Sequence, residues 1–165
     1  MKKIILAIIA GIIPLVLPAA STDFWFRHFS VEDGLSSNSV RAIMQDKYGF
    51  MWLGTDDGLN RYDGTTIKVY NLNPQGSNDY ISSLYDTTDN IWVGTEGGVY
   101  IFDYETESFE LFKVLTAQGD SIKSNVNHIA EDRDGNLWFS TVGQGIFKYN
   151  ISKHYLEHYE FKDAN

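Results

Sequence analysis

The sequence predicts an all-β fold of three four-stranded antiparallel sheets. Three observations carry this: one unit is written three times, apolar and polar residues alternate within it at the strand period of two, and no helical period competes. Of the 165 residues, 43% are hydrophobic, 15% aromatic and 21% charged, the make-up of a packed globular protein and not of a disordered or collagen-like chain. The 4 Trp, 10 Tyr and 10 Phe suit the half-buried faces of sheets.

The repeat is visible when residues 40–64 (VRAIMQDKYGFMWLGTDDGLNRYDG) are set above 81–103 (ISSLYDTTDNIWVGTEGGVYIFD) and 126–150 (VNHIAEDRDGNLWFSTVGQGIFKYN). Trp52, Trp92 and Trp138 align at separations of 40 and 46. Thr55, Thr95 and Thr141 follow each Trp by three, preceded in the first two copies by Gly54 and Gly94. Then come Gly58, Gly98 and Gly145, and the closing pairs Tyr62-Asp63, Phe102-Asp103 and Tyr149-Asn150. The third copy departs twice: Ser140 replaces the glycine, and one extra residue sits between Thr141 and Gly145. Both changes fall at a turn, where insertions cost little.

In the first copy, strand a is expected over 40–46, strand b over 50–55, strand c over 59–63 and strand d over 67–72. Strand d alternates in each copy, as Ile67-Lys68-Val69-Tyr70, Phe109-Glu110-Leu111-Phe112 and Leu156-Glu157-His158-Tyr159. Gly49, Gly135 and Asp89-Asn90 supply the a–b turns, and Gly58, Gly98 and Gly145 the b–c turns. A repeat of about 40 to 45 residues carrying four strands is the signature of a β-propeller blade. The Trp of strand b is then expected to pack on the neighbouring blade.

A further strand d, Phe26-Arg27-His28-Phe29, precedes the first copy and reads as the outermost strand of a blade whose inner strands are not found at this chain's beginning. Three blades and an orphan strand do not close a ring, since propellers run to about 4 to 8 blades. The fold is therefore expected to be an incomplete β-propeller, the start of a longer protein. A rival reading is a three-blade chain that forms a homodimeric six-blade ring. The expected domains are a leader at 1–21 and a partial propeller at 22–165, with a closing strand and linker at 22–35 and blades at 36–76, 77–120 and 121–165.

The leader has the three parts of a secretory signal: Lys2 and Lys3, an apolar run over 4–17 broken by Gly11 and Pro14, and then Pro18, Ala19, Ala20 and Ser21. Fourteen apolar positions are short for a bilayer span of about 20 residues. Cleavage after Ala20 or Ser21 is expected, an uncleaved anchor being the alternative; either way the rest of the chain is exported, to the periplasm or the periplasmic face of the inner membrane. Losing Lys2 and Lys3 with the leader takes the formal charge from −9 to −11, which opposes nucleic-acid binding. With no cysteine there is no disulfide framework and no thiolate chemistry.

The stretch 26–64, FRHFSVEDGLSSNSVRAIMQDKYGFMWLGTDDGLNRYDG, together with 91–103 and 136–150, resembles the two-component regulator propeller repeat. The W-x-G-T-x-x-G-L core, repeated in order, is specific. The resemblance implies an N-terminal fragment of a periplasmic sensor region, of the kind found in hybrid two-component systems of glycan-degrading gut bacteria. It further implies two propellers, a β-sandwich, a membrane span, and kinase, receiver and DNA-binding regions, with an oligosaccharide as the signal and transcription of carbohydrate-use genes as the response. The same repeats head other envelope sensors.

Chemistry is sparse in the residues themselves. Asp46, Asp56, Asp57, Asp63, Asp86, Asp103, Asp132 and Asp134 recur at turn positions of the copies, where an Asp bonds its own backbone, and nothing marks two of them as a glycosidase pair. Asp132-Arg133-Asp134-Gly135-Asn136 has its Gly at the fourth position and Gly143 where a calcium loop needs Glu. His28, His128, His154 and His158 show no metal-ligand spacing for a strand-rich chain, Gly143-Gln144-Gly145 lacks a nucleotide-loop context, and no cofactor is expected. Ligand-binding candidates lie in the loops leading into each innermost strand: Ser37 and Asn38 (with Ser36), Asn78, Asp79 and Tyr80 (with Ser77), and Ser124 and Asn125. Hydroxyls and amides pair with sugar hydroxyls and Tyr80 can stack on a ring, while ordinary turn-making is the competing account. The leading expectation is a non-catalytic sensory propeller; the alternative is part of a secreted propeller-fold glycan lyase or hydrolase.

Overall fold

The structure, a computed structural model, describes residues 26–72 and 79–160. The expected leader, the candidate Asn78 and residues 161–165 lie outside the described residues. The described residues form three four-stranded sheets, each a simple meander in chain order. Blade 1 comprises β1 (Val40–Gln45), β2 (Met51–Thr55), β3 (Gly58–Tyr62) and β4 (Ile67–Tyr70). Blade 2 comprises β5 (Ile81–Asp86), β6 (Asn90–Thr95), β7 (Gly98–Asp103) and β8 (Ser108–Leu111), and blade 3 β9 (Val126–Glu131), β10 (Asn136–Thr141), β11 (Ile146–Asn150) and β12 (Tyr155–Tyr159). Every pairing of consecutive strands within the sheets is antiparallel, and β1 lies beside β5 as β5 lies beside β9, so the first strands of the blades share the centre of a fan.

Packing between blades follows from the period of two. Trp52 is fully buried among blade 2 residues Ile91, Val93 and Phe102, its ring 5.0 Å from that of Phe102. Trp92 repeats the arrangement one blade on, 5.8 Å from Phe139 and 5.8 Å from Tyr149. Burying one such side chain removes about 150–250 Å² from water, worth roughly 4–6 kcal/mol as an upper bound. Trp138 is only half-buried, on the face of blade 3 that no described residue covers. There it stacks on Tyr159 at 5.7 Å, with the Lys148 ammonium 5.3 Å from its ring.

Glycine in the W-x-G-T core lets the blades approach. A Cβ on Gly54 would stand 2.5 Å from Ile81 Cγ2, and one on Gly94 would stand 2.1 Å from Ser83 Oγ and 2.8 Å from the Val126 carbonyl oxygen. Blade 3 has Ser140 at this position, facing no described blade. The threonine that follows closes the b–c turn: Thr55, Thr95 and Thr141 hydroxyls donate to the carbonyls of Gly58, Gly98 and Gly145 at 3.0, 3.0 and 2.8 Å.

The a–b turns separate two cases that the alignment merges. Asp46 accepts the Trp52 indole N–H at 2.8 Å and the Tyr48 and Phe50 amides at 2.9 Å each. Asp132 likewise accepts the Trp138 indole at 2.8 Å with the Asp134 and Asn136 amides, which makes this loop an Asp-capped turn. Asp86 is not their equivalent. In blade 2 the turn is one residue shorter, and Thr87, whose N–H donates to the Asn90 carbonyl as that of Asp46 does to Phe50, takes the place. Asp86 instead reaches between blades, accepting the Lys47 amide at 2.9 Å and the Tyr104 hydroxyl at 3.1 Å. The indole nitrogen of Trp92 is consequently buried with no hydrogen-bond partner among the described residues.

Residues 26–29 form no ladder, because a strand needs a partner and none of the described residues supplies one. Phe29 rests edge-on against Tyr62 at 4.8 Å, on the open side of blade 1, while Phe26 is almost wholly exposed.

Candidate functional site

In an antiparallel meander, the linkers entering strand a and the b–c turns meet at one end of the sheet, so the candidate loops share one rim of the fan. The structure places most of them in structural bonds. Ser36 is clamped by the buried Asn60, whose Oδ1 accepts the Ser36 amide at 2.9 Å and whose Nδ2 donates to Ser36 Oγ at 2.8 Å. Ser37 Oγ accepts the Ser39 amide, and Asn38 Oδ1 accepts the Val31 amide at 3.0 Å, tying down the short 3₁₀ turn Val31–Asp33. The Asp79 carboxylate accepts the Leu72 amide at 2.9 Å, and its carbonyl accepts the Gly58 amide at 2.9 Å. Ser124 Oγ and Asn125 Oδ1 are buried without a hydrogen-bond partner among the described residues, while the Asn125 carbonyl accepts the Val142 amide.

Tyr80 takes part in a cluster that sequence reasoning did not name in full. The Arg41 guanidinium lies 5.7 Å from the Tyr80 ring centre and grips Asp56 with two bonds, Nε to Oδ1 at 2.7 Å and Nη2 to Oδ2 at 3.2 Å. Bonding to Arg41 holds the Asp56 carboxyl below the usual carboxylate range, and Asp56 in turn raises Arg41. The side chains are 50% and 34% exposed, so this is a solvent-facing assembly of guanidinium, carboxylate and aryl ring rather than a buried ion pair.

Arg41 is positioned by a bulge. Between β1 and β2, Val40 pairs with Thr55 and Ala42 with Gly54, leaving Arg41 outside the ladder. The same irregularity leaves out Ser82, between Ile81 and Ser83, and Asn127, between Val126 and His128. A β-bulge frees one residue from pairing and re-aims its side chain. The column reads Arg, Ser, Asn between apolar positions that repeat, Val40, Ile81 and Val126 before it and Ile43, Leu84 and Ile129 after it. Ser82 donates to the Gly94 and Val126 carbonyls at 3.1 and 2.8 Å, and Asn127 is exposed. The sequence carried no signal that singles out Arg41, because the neighbouring column Ala42, Ser83 and His128 varies as much.

At the blade 3 rim, His158 stacks on Phe147 at 4.2 Å, and its ring nitrogens face the Gln144 carbonyl at 2.5 Å and Asp120 at 3.4 Å. Among the described residues no group of three His, Asp or Glu side chains converges as a metal site. No helix of the described residues is long and apolar enough to cross a membrane.

Comparison with known proteins adds the wider context. The two component regulator propeller model matches residues 34–57 and 121–143. A protein named histidine kinase P4 from Formosa agariphila is 46% identical over 70 residues, 42% of this chain and 5% of that protein. Among solved structures, the extracellular domain of a hybrid two component system from B. thetaiotaomicron superposes with a TM-score of 0.72 at 32% identity, over 81% of this chain and 20% of that one. A second B. thetaiotaomicron extracellular domain, from a system described as one-component, has a TM-score of 0.68 at 23% identity over 81% and 18% of the two chains, a likeness of fold. The chain thus spans about a fifth of these structures. Repeat sequence, blade geometry and relatives agree: the chain is an all-β array of propeller blades, two stretches of which match the two component regulator propeller model, and it resembles the extracellular domain of a hybrid two component system.

Proposed function

We propose that the chain is the non-catalytic, ligand-sensing part of an exported, periplasmic two-component sensor, and that its rim recognises an oligosaccharide. The observation that carries this reading is the exposed cluster of Arg41, Asp56 and Tyr80, which a bulge in β1 sets outside the ladder beside the loop candidates. Arg41 and Asp56 together present donors and acceptors with no net charge, and Tyr80 adds an apolar ring face; that combination suits a polyhydroxylated, uncharged sugar. Signal relay to a kinase belongs to parts of such a sensor beyond this propeller, and is proposed from the relatives.

Titration calorimetry of the chain against a panel of neutral and acidic oligosaccharides tests the proposal, with product analysis alongside. Binding of a neutral glycan without turnover, weakened about tenfold by Arg41→Ala through loss of one or two charge-assisted bonds, is the expected result. Released products would replace the sensor reading with that of a glycan-cleaving enzyme. Binding unaffected by Arg41→Ala would move the site elsewhere.

A further inference from the structure

Blade 3 departs from the other two in three places, and the departures meet. The linker into a blade takes 11 positions from Phe29 to Val40 and from Tyr70 to Ile81, but 14 from Phe112 to Val126. The b–c turn takes three positions from Thr55 to Gly58 and from Thr95 to Gly98, but four from Thr141 to Gly145. In the outer strand, the ladder sets His158 opposite Phe147, where Val69 stands opposite Asn60 and Leu111 opposite Tyr100. The long linker supplies Asp120 and the long turn supplies Gln144, and both lie against His158.

Gln144 grips the linker from the turn: its Oε1 accepts the Lys123 amide at 2.8 Å, and its Nε2 donates to the Ser121 carbonyl at 3.2 Å. Ahead of that grip, residues 116–120 close on themselves. The Gly119 amide donates to the Thr116 carbonyl at 3.0 Å, the Thr116 amide to the Asp120 carbonyl at 2.9 Å, and the Asp120 amide to Thr116 Oγ1 at 3.0 Å. His158 joins the two parts. Its ring lies flat on Phe147, 4.2 Å away at 3°, with Nε2 2.5 Å from the Gln144 carbonyl and Nδ1 3.4 Å from Asp120 Oδ2. The other described residues lining its cleft are Gln118, Asp120, Tyr159 and Glu160, so the charged groups facing the ring are two carboxylates, with no lysine or arginine among them.

A carbonyl oxygen only accepts, so Nε2 carries a proton, and a neutral ring then turns a bare Nδ1 lone pair toward the Asp120 carboxylate. Only the doubly protonated ring donates to both oxygens. We propose that His158 is a proton-operated latch on the linker entering blade 3. Protonated, it ties the 116–120 turn to the Gln144 turn; neutral, it releases Asp120 while Gln144 keeps its hold on Ser121 and Lys123. Histidine is the side chain suited to such a device between about pH 5 and pH 8. The linker runs on into Ser124 and Asn125 at the rim, so the latch bears on how firmly that stretch is held, whichever ligand the rim takes.

Nuclear magnetic resonance of the purified chain between about pH 5 and pH 8 tests this, with the His158 ring and the amides of Gly119, Asp120 and Ser121 followed together. The expected result is one shared midpoint for ring and linker. Protection of the Gly119 and Asp120 amides, corrected for the intrinsic pH dependence of exchange, should be about threefold greater at the acid end, a factor suited to an ion pair whose Asp120 side chain is half-exposed. In Asp120→Asn the ring still titrates but the linker amides no longer follow it, because a side-chain amide donates to the neutral ring as readily as it accepts from the charged one. His158→Leu, which follows Leu111 at the matching position of blade 2, abolishes the linker response and leaves the circular dichroism spectrum unchanged. Linker amides that do not change over this range, that are better protected at the alkaline end, or that keep their response in either variant overturn the proposal.

Discussion

Gly94→Ala is the sharpest probe of how the blades are held together. The added Cβ falls 2.1 Å from Ser83 Oγ, 2.8 Å from the Val126 carbonyl oxygen and 3.1 Å from Val126 Cβ. Ser83 can rotate away, but its hydroxyl then gives up the 2.8 Å bond to Val126 O, a loss of about 1 kcal/mol. The carbonyl cannot rotate, so β9 must move outward, at an overpacking cost of about 1–3 kcal/mol. The sum, about 2–4 kcal/mol, lowers the melting temperature by roughly 6–12 °C for a domain of this size. Calorimetry at fixed protein concentration measures it, with Ser140→Ala as the control, expected within about 0.5 kcal/mol of wild type because that position faces no described blade. A Gly94→Ala protein that melts with the wild type would show that blade 3 does not approach blade 2 as closely as described.

Other expectations follow from the turns. Thr87→Asp places a carboxylate where Asp46 and Asp132 have theirs and supplies the missing acceptor for the Trp92 indole, so chemical denaturation should show a gain of about 1 kcal/mol; a loss would mean that the shorter turn aims the side chain elsewhere. Asp46→Ala strands the buried Trp52 indole and two turn amides and should cost about 2–3 kcal/mol by the same assay. Thr66 and Thr106 amides hold Asp63 and Asp103 below the usual carboxylate range, and the Trp138 indole does so for Asp132. Because the folded chain binds their ionised forms, that stability is complete above the unfolded-state value of about 4 and declines as the pH falls below it. Melting temperatures that stay level from neutral pH down to about pH 3 would contradict this.

The blades were legible in the sequence because each W-x-G-T core ties one Trp, one close approach and one turn to fixed offsets, and strand limits from that pattern fall within one or two residues of those observed. Two features escaped it for physical reasons. Counting back six residues from each Trp puts Asp86 in line with Asp46 and Asp132, but hydrogen bonding, not residue count, defines a turn, and the bonds put Thr87 there. The bulge at Arg41 left no turn residue to mark it; it arises where β1 must also pack against β5, a tertiary demand. Among the loop candidates, residue type did not separate Asn38 and Asp79, whose oxygens accept backbone amides, from Ser124 and Asn125, whose side-chain oxygens are buried without a partner among the described residues.

The bulge has a consequence for how such a protein diversifies. Arg, Ser and Asn occupy it in three sheets whose pairing is the same on either side, so the residue there is released from the demands of the ladder. Ser82 spends its freedom on the Val126 carbonyl of the next blade, whereas Arg41 and Asn127 face solvent. One backbone irregularity inherited with the repeat thus serves a seam between sheets in one copy and an outward-facing side chain in the other two, the choice resting on a single residue.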